Sequence, residues 1–385
     1  MRITWVTRSF LDYRIPVYKA LDELCGGNLT LIYSDEVNPP RVKEKIKHLL
    51  GDRAIALSGE IRFSGKKSDN ATMANKGFRI PYQPGLIHRI KESNPNVMIS
   101  DGFFQWTYAP LFVRATKRIP HIMCYERTPH TERNAGKMRT IYRKYVSRWI
   151  DAIDCNGILT AQYVRDDLGF GKYLEYGHMT AEIDGIKDKV SKVCIQEVET
   201  LRKNYNLGGL TFLYIGQIIH RKGIIQLLKA WTAAGLKDAK LLLVGDGTQK
   251  EEIIDFINLN HLTNVEFAGA VDYDALGPYY KAADCFIIPT LEDNWSLVVP
   301  EAMAAGLPVA CSIYNGCHPE LVKPENGWTF DPLDLNDTVN TLRRISESRD
   351  LLPSMGEESL KIVANHTPAH AARGIYEACL KVLNK

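Results

Sequence analysis

The sequence predicts an α/β protein built from two doubly wound parallel-sheet domains, and three observations carry that prediction. Short apolar, strand-like runs alternate with helical patterns through the first half, an order that puts helices on both faces of a parallel sheet. The same alternation starts afresh at Thr211, after a charged stretch that ends in Gly208-Gly209. The length of 385 residues exceeds one ordinary core and suits two of roughly 180.

In the first half the predicted strands are Ile3–Thr7, Leu29–Tyr33, Asn96–Ser100, Ile119–Tyr125 and Ala152–Thr160. Residues 40–76 are Lys-rich and polar and read as an insertion or mobile loop. Met138, Ile141, Tyr142, Tyr145, Val146, Trp149 and Ile150 recur at helical spacing, which predicts a helix packed on the sheet by that face. Contact of the same face with a membrane surface is the second reading. The first domain is expected to span 1–178. Residues 182–209 read as a helix and linker at the start of a second domain, 179–365. There the predicted strands are Thr211–Gly216, Lys240–Gly245, Asn264–Ala268, Asp284–Pro289, Leu307–Cys311 and Gly327–Phe330. Helical runs lie between them at 223–235, 249–260, 273–282, 296–305 and 318–323, and a final helix runs from about Pro368 to Leu383.

Composition narrows the class. With 45% hydrophobic and 24% charged residues the chain is that of a globular protein. No apolar run approaches the length of about 18 residues that a membrane span needs. The opening Met1–Arg8 enters a strand directly and carries Arg8 where a signal peptide would be apolar, so a cytoplasmic protein is expected. The eight cysteines show no C-x-x-C spacing and read as reduced thiols. The net charge is +3, but residues 101–150 hold ten Lys/Arg against three acids, a basic segment that suggests an anionic partner.

The stretch most suited to chemistry runs from Pro289 to Pro308. A buried strand hands over to a helix there, with Asp293 at the junction and Glu301 inside the helix, roughly 7 Å along from Ser296. Backbone N–H groups at such a junction, among Asn294, Ser296, Leu297 and Val298, suit a phosphate, and acids on either side suit sugar hydroxyls. Asp293-x7-Glu301 followed by Ala-Met-Ala-Ala-Gly-Leu-Pro-Val resembles the E-x7-E signature of the retaining glycosyltransferases of family four (group 1 glycosyltransferases), and the resemblance extends through most of 210–330. The first acid is Asp293, one methylene shorter than the family's usual Glu.

That resemblance implies a GT-B fold of two Rossmann-like domains facing a central cleft, with the last helix, 366–385, packed back on the first domain. It implies an acceptor-binding first domain and a nucleotide-sugar-binding second one. The Gly216-Gln217-Ile218-Ile219-His220-Arg221-Lys222-Gly223 loop is similar to the family's G-x-x-x-x-x-K-G loop, so Gly216 would approach the donor while Arg221 and Lys222 offset charge on its diphosphate. Leu243-Val244-Gly245-Asp246-Gly247 resembles the strand-to-turn G-D-G. Gly269-Ala270-Val271 matches the place where backbone groups at Val271 meet the base. Asn315-Gly316-Cys317-His318-Pro319-Glu320 resembles the G-G-x-x-E loop, with Gly316 near the phosphates. In the first domain, Glu126 stands where relatives carry a His at a strand end and His130 follows four residues on, so one of the two is expected to contact donor sugar or acceptor hydroxyl. The expected reaction moves a sugar from a UDP- or GDP-sugar to an acceptor hydroxyl, with no metal and no cofactor. The acceptor is a saccharide or lipid-linked saccharide, with peripheral contact to the anionic inner face of a membrane and no nucleic-acid partner. An epimerase on the same fold and a non-catalytic nucleotide-sugar-binding protein are the alternatives.

Overall fold

All five residues of the first strand, β1 (Ile3–Thr7), are buried, as a central strand of a parallel sheet covered on both faces must be. The computed structural model describes residues 1–62, 81–177 and 179–384. It forms two units, one of residues up to Thr180 together with those from Thr367 onward, the other Ala181–His366.

The first unit holds a seven-stranded sheet. Its strands are β1, β2 (Leu29–Ser34), β3 (Ala54–Leu57), β4 (Val97–Asp101), β5 (His121–Tyr125), β6 (Ala152–Cys155) and β7 (Tyr173–Tyr176), all parallel, in the order β3-β2-β1-β4-β5-β6-β7. The chain winds outward from β1 in one direction and then returns to β1's other side at β4. The topological switch point therefore lies between β1 and β4, where doubly wound sheets open a crevice beyond the strand ends. The helix Pro368–Leu383 belongs to this unit. It buries Ala371, Ala372, Ile375, Ala378, Cys379 and Val382 in the same core as Trp5, Tyr18 and Leu21, its small residues allowing close approach to the helix Ile15–Leu24. Thr367 caps it by accepting from the His370 N–H at 3.2 Å.

Several expectations change here. Residues 40–57 are not a loop: Pro40–Leu50 is a helix whose Val42, Ile46 and Leu50 are buried at i, i+4, i+8 beneath a lysine-rich outer face, and it leads into edge strand β3. The remainder of the expected insertion, from 63 to 76, lies outside the described residues, as does the first-domain endpoint His178. The predicted strand Ala152–Thr160 stops at Cys155, because Gly157 turns the chain into the helix Ile158–Gln162. The helix Lys137–Ser147 forms, but half of its apolar stripe faces outward. Arg143 is drawn into the interior by Glu132, with Nη1 and Nη2 donating to the carboxylate at 2.6 and 2.9 Å and Nη1 also to the Tyr163 oxygen at 2.8 Å. With that pair inside, Arg143, Val146, Ser147 and Ile150 are buried while Met138, Ile141, Tyr145 and Trp149 are exposed.

The second unit holds β8 (Leu210–Ile215), β9 (Ala239–Val244), β10 (Val265–Gly269), β11 (Cys285–Ile288), β12 (Val309–Ser312) and β13 (Gly327–Phe330), all parallel, in the order β10-β9-β8-β11-β12-β13. Its switch point lies between β8 and β11. In place of the expected helix and linker, two helices, Ile183–Lys192 and Ile195–Asn204, pack on the helix Gly277–Ala282. Arg202 ties them down by donating to the Ala282 carbonyl at 2.7 Å. All eight cysteines are free thiols, seven of them buried. Among the described residues no helix is long and apolar enough to cross a membrane.

Candidate active site

In the second unit the loops after β8 and β11 flank the switch point and are sewn together. The Arg221 carbonyl accepts from Leu291 N–H (2.8 Å), Glu292 N–H (3.3 Å) and the Thr290 hydroxyl (3.0 Å). Gly223 makes this close approach feasible: it sits at φ +71°, and a Cβ there would run into the Pro289 carbonyl. The result brings Lys222 Nζ into a direct ion pair with Asp293 Oδ2, both side chains almost wholly buried, with Arg221 Nη1 at 3.8 Å from the same oxygen. Asp293 also accepts from the Ser296 hydroxyl at 2.8 Å and from Trp295 N–H at 3.1 Å. Its backbone bridges to the loop after β12, donating to the Tyr314 carbonyl at 3.2 Å and accepting from Gly316 N–H at 3.1 Å. Burial alone would push the Asp293 carboxyl up; the Lys222 charge and hydrogen bond, with Arg221 and Ser296 behind them, outweigh it and hold the acid below the usual carboxylate range. A carboxylate has about four acceptor positions and three are taken, which leaves room for one further donor rather than for a whole sugar edge.

Glu301 lies on the helix Val298–Ala304, shorter at its start than the predicted 296–305. It too is buried, accepting from the Tyr280 hydroxyl at 3.3 Å. Burial raises its carboxyl to about 7, while hydrogen bonds from Tyr280 and Tyr273 and the charge of Lys189 pull the other way. The two acids of the spaced pair therefore differ: Asp293 is an anion clasped by cations, and Glu301 sits near its midpoint at neutral pH. Between them, Asn294 and Ser296 are buried, whereas Leu297 and Val298 are half-exposed where the helix begins without a side-chain cap. Asn315 Oδ1 steadies this corner by accepting from Ser296 N–H at 3.2 Å. Cys317 and His318 are committed locally, the thiol to Asn315 Oδ1 at 3.2 Å and the imidazole Nδ1 to the Asn315 carbonyl at 2.9 Å. The turn holding Val271 is joined to the end of β9 through Gly245 N–H and the Gly269 carbonyl at 2.8 Å.

The first unit has its own cavity, about 480 Å³, at the ends of β1, β4 and β5, lined among others by Tyr13, Arg14, Asp101, Gln105, Glu126 and Arg127. Arg14 is its buried cation. Its Nη2 donates to Glu126 Oε1 at 3.0 Å and lies 4.0 Å from Asp101 Oδ1, which also accepts from Trp5 Nε1 at 3.2 Å. Burial works against the Arg14 charge, but Asp101, Tyr13, Tyr18 and Glu126 together keep it firmly protonated. The Tyr13 phenol is pushed up to about 12 by burial and then by Glu126. Among the described residues, the buried Arg14 Nη1 has no hydrogen-bond partner.

Residues 197–361 match the family model for glycosyl transferases group 1. The second unit is a group 1 glycosyl transferase domain. A curated relative, the sulfoquinovosyl transferase SQD2 of Arabidopsis thaliana, is 31% identical over 148 residues, 38% of this chain and 28% of that protein. The 2-deoxystreptamine glucosyltransferase of Streptomyces kanamyceticus is 27% identical over 214 residues, 52% and 54% of the two chains. The chain thus spans about a quarter to a half of the length of these relatives. Among solved structures, a glycosyltransferase from Rickettsia africae superposes with a TM-score of 0.74 over 100% of this chain and 99% of that one, at 12% identity. Anabaena Alr3699/HepE in complex with UDP gives 0.73 over 99% and 100%, at 13% identity. These likenesses establish the fold, which is GT-B.

Within the glycosyl transferase domain, the structure brings Arg221, Lys222, Asp293, Ser296 and Gly316 together, and it puts Glu301 among tyrosines. In the first unit Glu126 enters the cavity. His130 does not line it; it lies in the capped turn Pro129–Glu132, where Thr128 and Thr131 exchange hydrogen bonds. Sequence reasoning missed Asp101, Lys189, Tyr273 and Tyr280, and gave Arg14 no role of its own. A signal existed for Asp101, an acid closing an otherwise apolar strand at its C-terminal end. For Tyr273 and Tyr280 there was none beyond helix-like spacing.

Proposed function

We propose that the chain is a retaining glycosyltransferase. It moves a sugar from a UDP- or GDP-sugar to a hydroxyl of a saccharide or lipid-linked saccharide at the inner face of a membrane, in polysaccharide or glycolipid biosynthesis, and requires no metal ion. The observation that carries the reading is the buried Lys222–Asp293 pair with Arg221 beside it, at the switch point of a group 1 glycosyl transferase domain. Two cations on a backbone pinned by Gly223 and the 290–292 segment can meet a diphosphate without reorganising, which is the form of charge stabilisation most useful as a glycosidic bond breaks. The donor's C1–O bond would cleave with its electron pair passing to the phosphate oxygen. The acceptor hydroxyl would add to C1 on the same face and give its proton to that oxygen. Asp293 holds Lys222 in place, and its remaining acceptor position is available to one donor hydroxyl. Glu301, near its midpoint, would take hydroxyls of the nucleotide or sugar, and Glu126, paired with Arg14, would face the reacting sugar or the acceptor. The solved complexes of the Anabaena protein with UDP and with UDP-glucose support a uridine donor.

A panel of UDP-, GDP- and other sugar nucleotides tests this by thermal shift and by transfer of labelled sugar to saccharide acceptors, with and without excess chelator. One nucleotide sugar is expected to stabilise the protein by about 2.7 kcal/mol at a hundred times its dissociation constant, and transfer is expected to survive the chelator. Strict dependence on Mn²⁺ or Mg²⁺ would remove the metal-free part. Donor binding with no transfer to any acceptor would remove the transferase, and donor conversion without an acceptor would make it an epimerase.

A further inference from the structure

The helix Lys137–Ser147 leaves a row of large side chains in solvent. Met138 is 72% exposed, Ile141 59%, Tyr145 60% and Trp149, just past its end, 47%. At about 100° per residue these four positions fall within about 40° of Tyr145, a single file along the helix. Lys137, Lys144 and Arg148, also exposed, fall about 60–100° to one side of that file. No acid occurs anywhere from 137 to 150. The opposite side is anchored by Arg143, whose guanidinium is held in the interior by Glu132 and Tyr163. Turning the helix to bury the apolar row would pull that pair apart, so the row is held outward by the fold itself.

We propose that this face docks the first unit onto an anionic bilayer surface, with Met138, Ile141, Tyr145 and Trp149 entering the headgroup boundary and Lys137, Lys144 and Arg148 lying over acidic lipid headgroups. Charge complementarity selects this occupant: a Trp and a Tyr among aliphatic residues, edged by cations alone, is the pattern of an interfacial helix. A second copy of the chain would set the three cations against their own images. The row also offers only on the order of 500 Å², below the roughly 800 Å² per partner of a stable protein interface. The inference stands apart from sugar transfer, since lipid binding is read without donor or acceptor.

The test is sedimentation of the full chain with vesicles of phosphatidylcholine alone and of equal parts phosphatidylglycerol and phosphatidylcholine, at low and at high ionic strength. Partition onto the anionic vesicles is expected to exceed that onto the neutral ones by at least about tenfold and to fall with salt. Ile141→Glu/Trp149→Glu and Lys144→Glu/Arg148→Glu are each expected to lower it by at least about tenfold in protein that still unfolds cooperatively, because Ile141, Lys144 and Arg148 face solvent and Trp149 is half-exposed. Unmutated protein that stays in the supernatant with anionic vesicles at low salt overturns the proposal, whatever the variants do. Vesicle binding unaltered in folded Ile141→Glu/Trp149→Glu overturns it as well. So does a chain that ignores vesicles but is dimeric by light scattering and becomes monomeric in that variant, which would make a second copy the occupant.

Discussion

Replacing Lys222 by Met tests the arrangement on which the candidate site rests. Lys222 and Asp293 are both almost fully buried, and the ammonium is the largest favourable influence on the Asp293 charge. Removing one partner of such a pair typically costs 3–5 kcal/mol, because the other charge is left desolvated and uncompensated. Two neighbours soften the loss here: Arg221 Nη1 stands 3.8 Å away, and Ser296 and Trp295 keep donating at 2.8 and 3.1 Å. The expected destabilisation is therefore about 2–3 kcal/mol, or about 4–12 °C in the melting temperature of a unit of this size. Lys222→Met/Asp293→Leu should recover most of it, since a volume-matched apolar pair carries no buried charge. The assay is urea unfolding of the single and double variants, followed through the second unit's tryptophans, with donor binding read in parallel. Asp293 ionises below its ordinary value in the fold, so the pair's contribution is present above the unfolded carboxyl pKa and disappears as the pH falls through the lower native one. The Lys222→Met variant should thus lose less stability than the parent on acidification. A Lys222→Met cost below about 0.5 kcal/mol, or a double variant no better than the single, would refute the reasoning that Lys222 offsets a buried Asp293 charge.

Glu301 predicts the opposite pH trend. Its carboxyl is raised from 4.5 to about 7 by burial, so the folded state holds the proton longer than the unfolded one and stability should decline by up to about 3 kcal/mol between those values, a slope that Glu301→Gln abolishes in pH-dependent denaturation. In the first unit, Glu126→Ala should reduce turnover at least about tenfold, or 1.4 kcal/mol in the barrier, while His130→Ala, outside the cavity, should cost less than about threefold; equal effects would show that cavity position does not decide the role. Arg14→Met leaves Glu126 and Asp101 without their shared cation and should raise the acceptor KM more than it lowers kcat if that pocket holds the acceptor. Gly223→Ala, which forces a Cβ against the Pro289 carbonyl at φ +71°, should destabilise by at least about 1 kcal/mol and weaken donor binding, as measured by calorimetry.

How far the sequence reaches depends on the range of the interaction. Strands such as β1 and β8 are legible because burial on both faces fills them with apolar, aromatic and β-branched residues, threonine being the only polar type. The helix Pro40–Leu50 was hidden because only Val42, Ile46 and Leu50 mark its inner face among lysines, too few for a periodic signal to stand out from polar background. The junction from Pro289 to Glu301 was legible as a motif, but not the state of its acids. The cation that clasps Asp293 comes from 71 residues away, and the phenol of Tyr280 that meets Glu301 from 21. Arg14 and Glu126 are 112 residues apart and meet only because β1 and β5 end at the same edge of one sheet.

The helix Lys137–Ser147 shows why periodicity alone could not settle which face is inside. Its apolar positions cover so wide an arc that two rotations bury comparable surface, and a hydrophobic pattern is indifferent between them. The decision falls to a polar group beyond the arc, on the side of the helix away from Tyr145, that has a partner in the core. Arg143 finds Glu132 in the interior, and a buried, bidentate pair of that kind costs several kcal/mol to break. Leaving Met138, Ile141, Tyr145 and Trp149 exposed forgoes about 1.5–3 kcal/mol for each side chain that could have been fully buried. The ion pair alone does not offset that sum, so the observed rotation is held by the pair together with Val146 and Ile150 already in the core, and the outward row remains a reservoir of unburied apolar surface. A surface that draws this row out of water would recover part of what folding leaves unspent. That recovery gives the vesicle experiment its expected sign: binding should weaken when the row is made acidic even if every cation is kept.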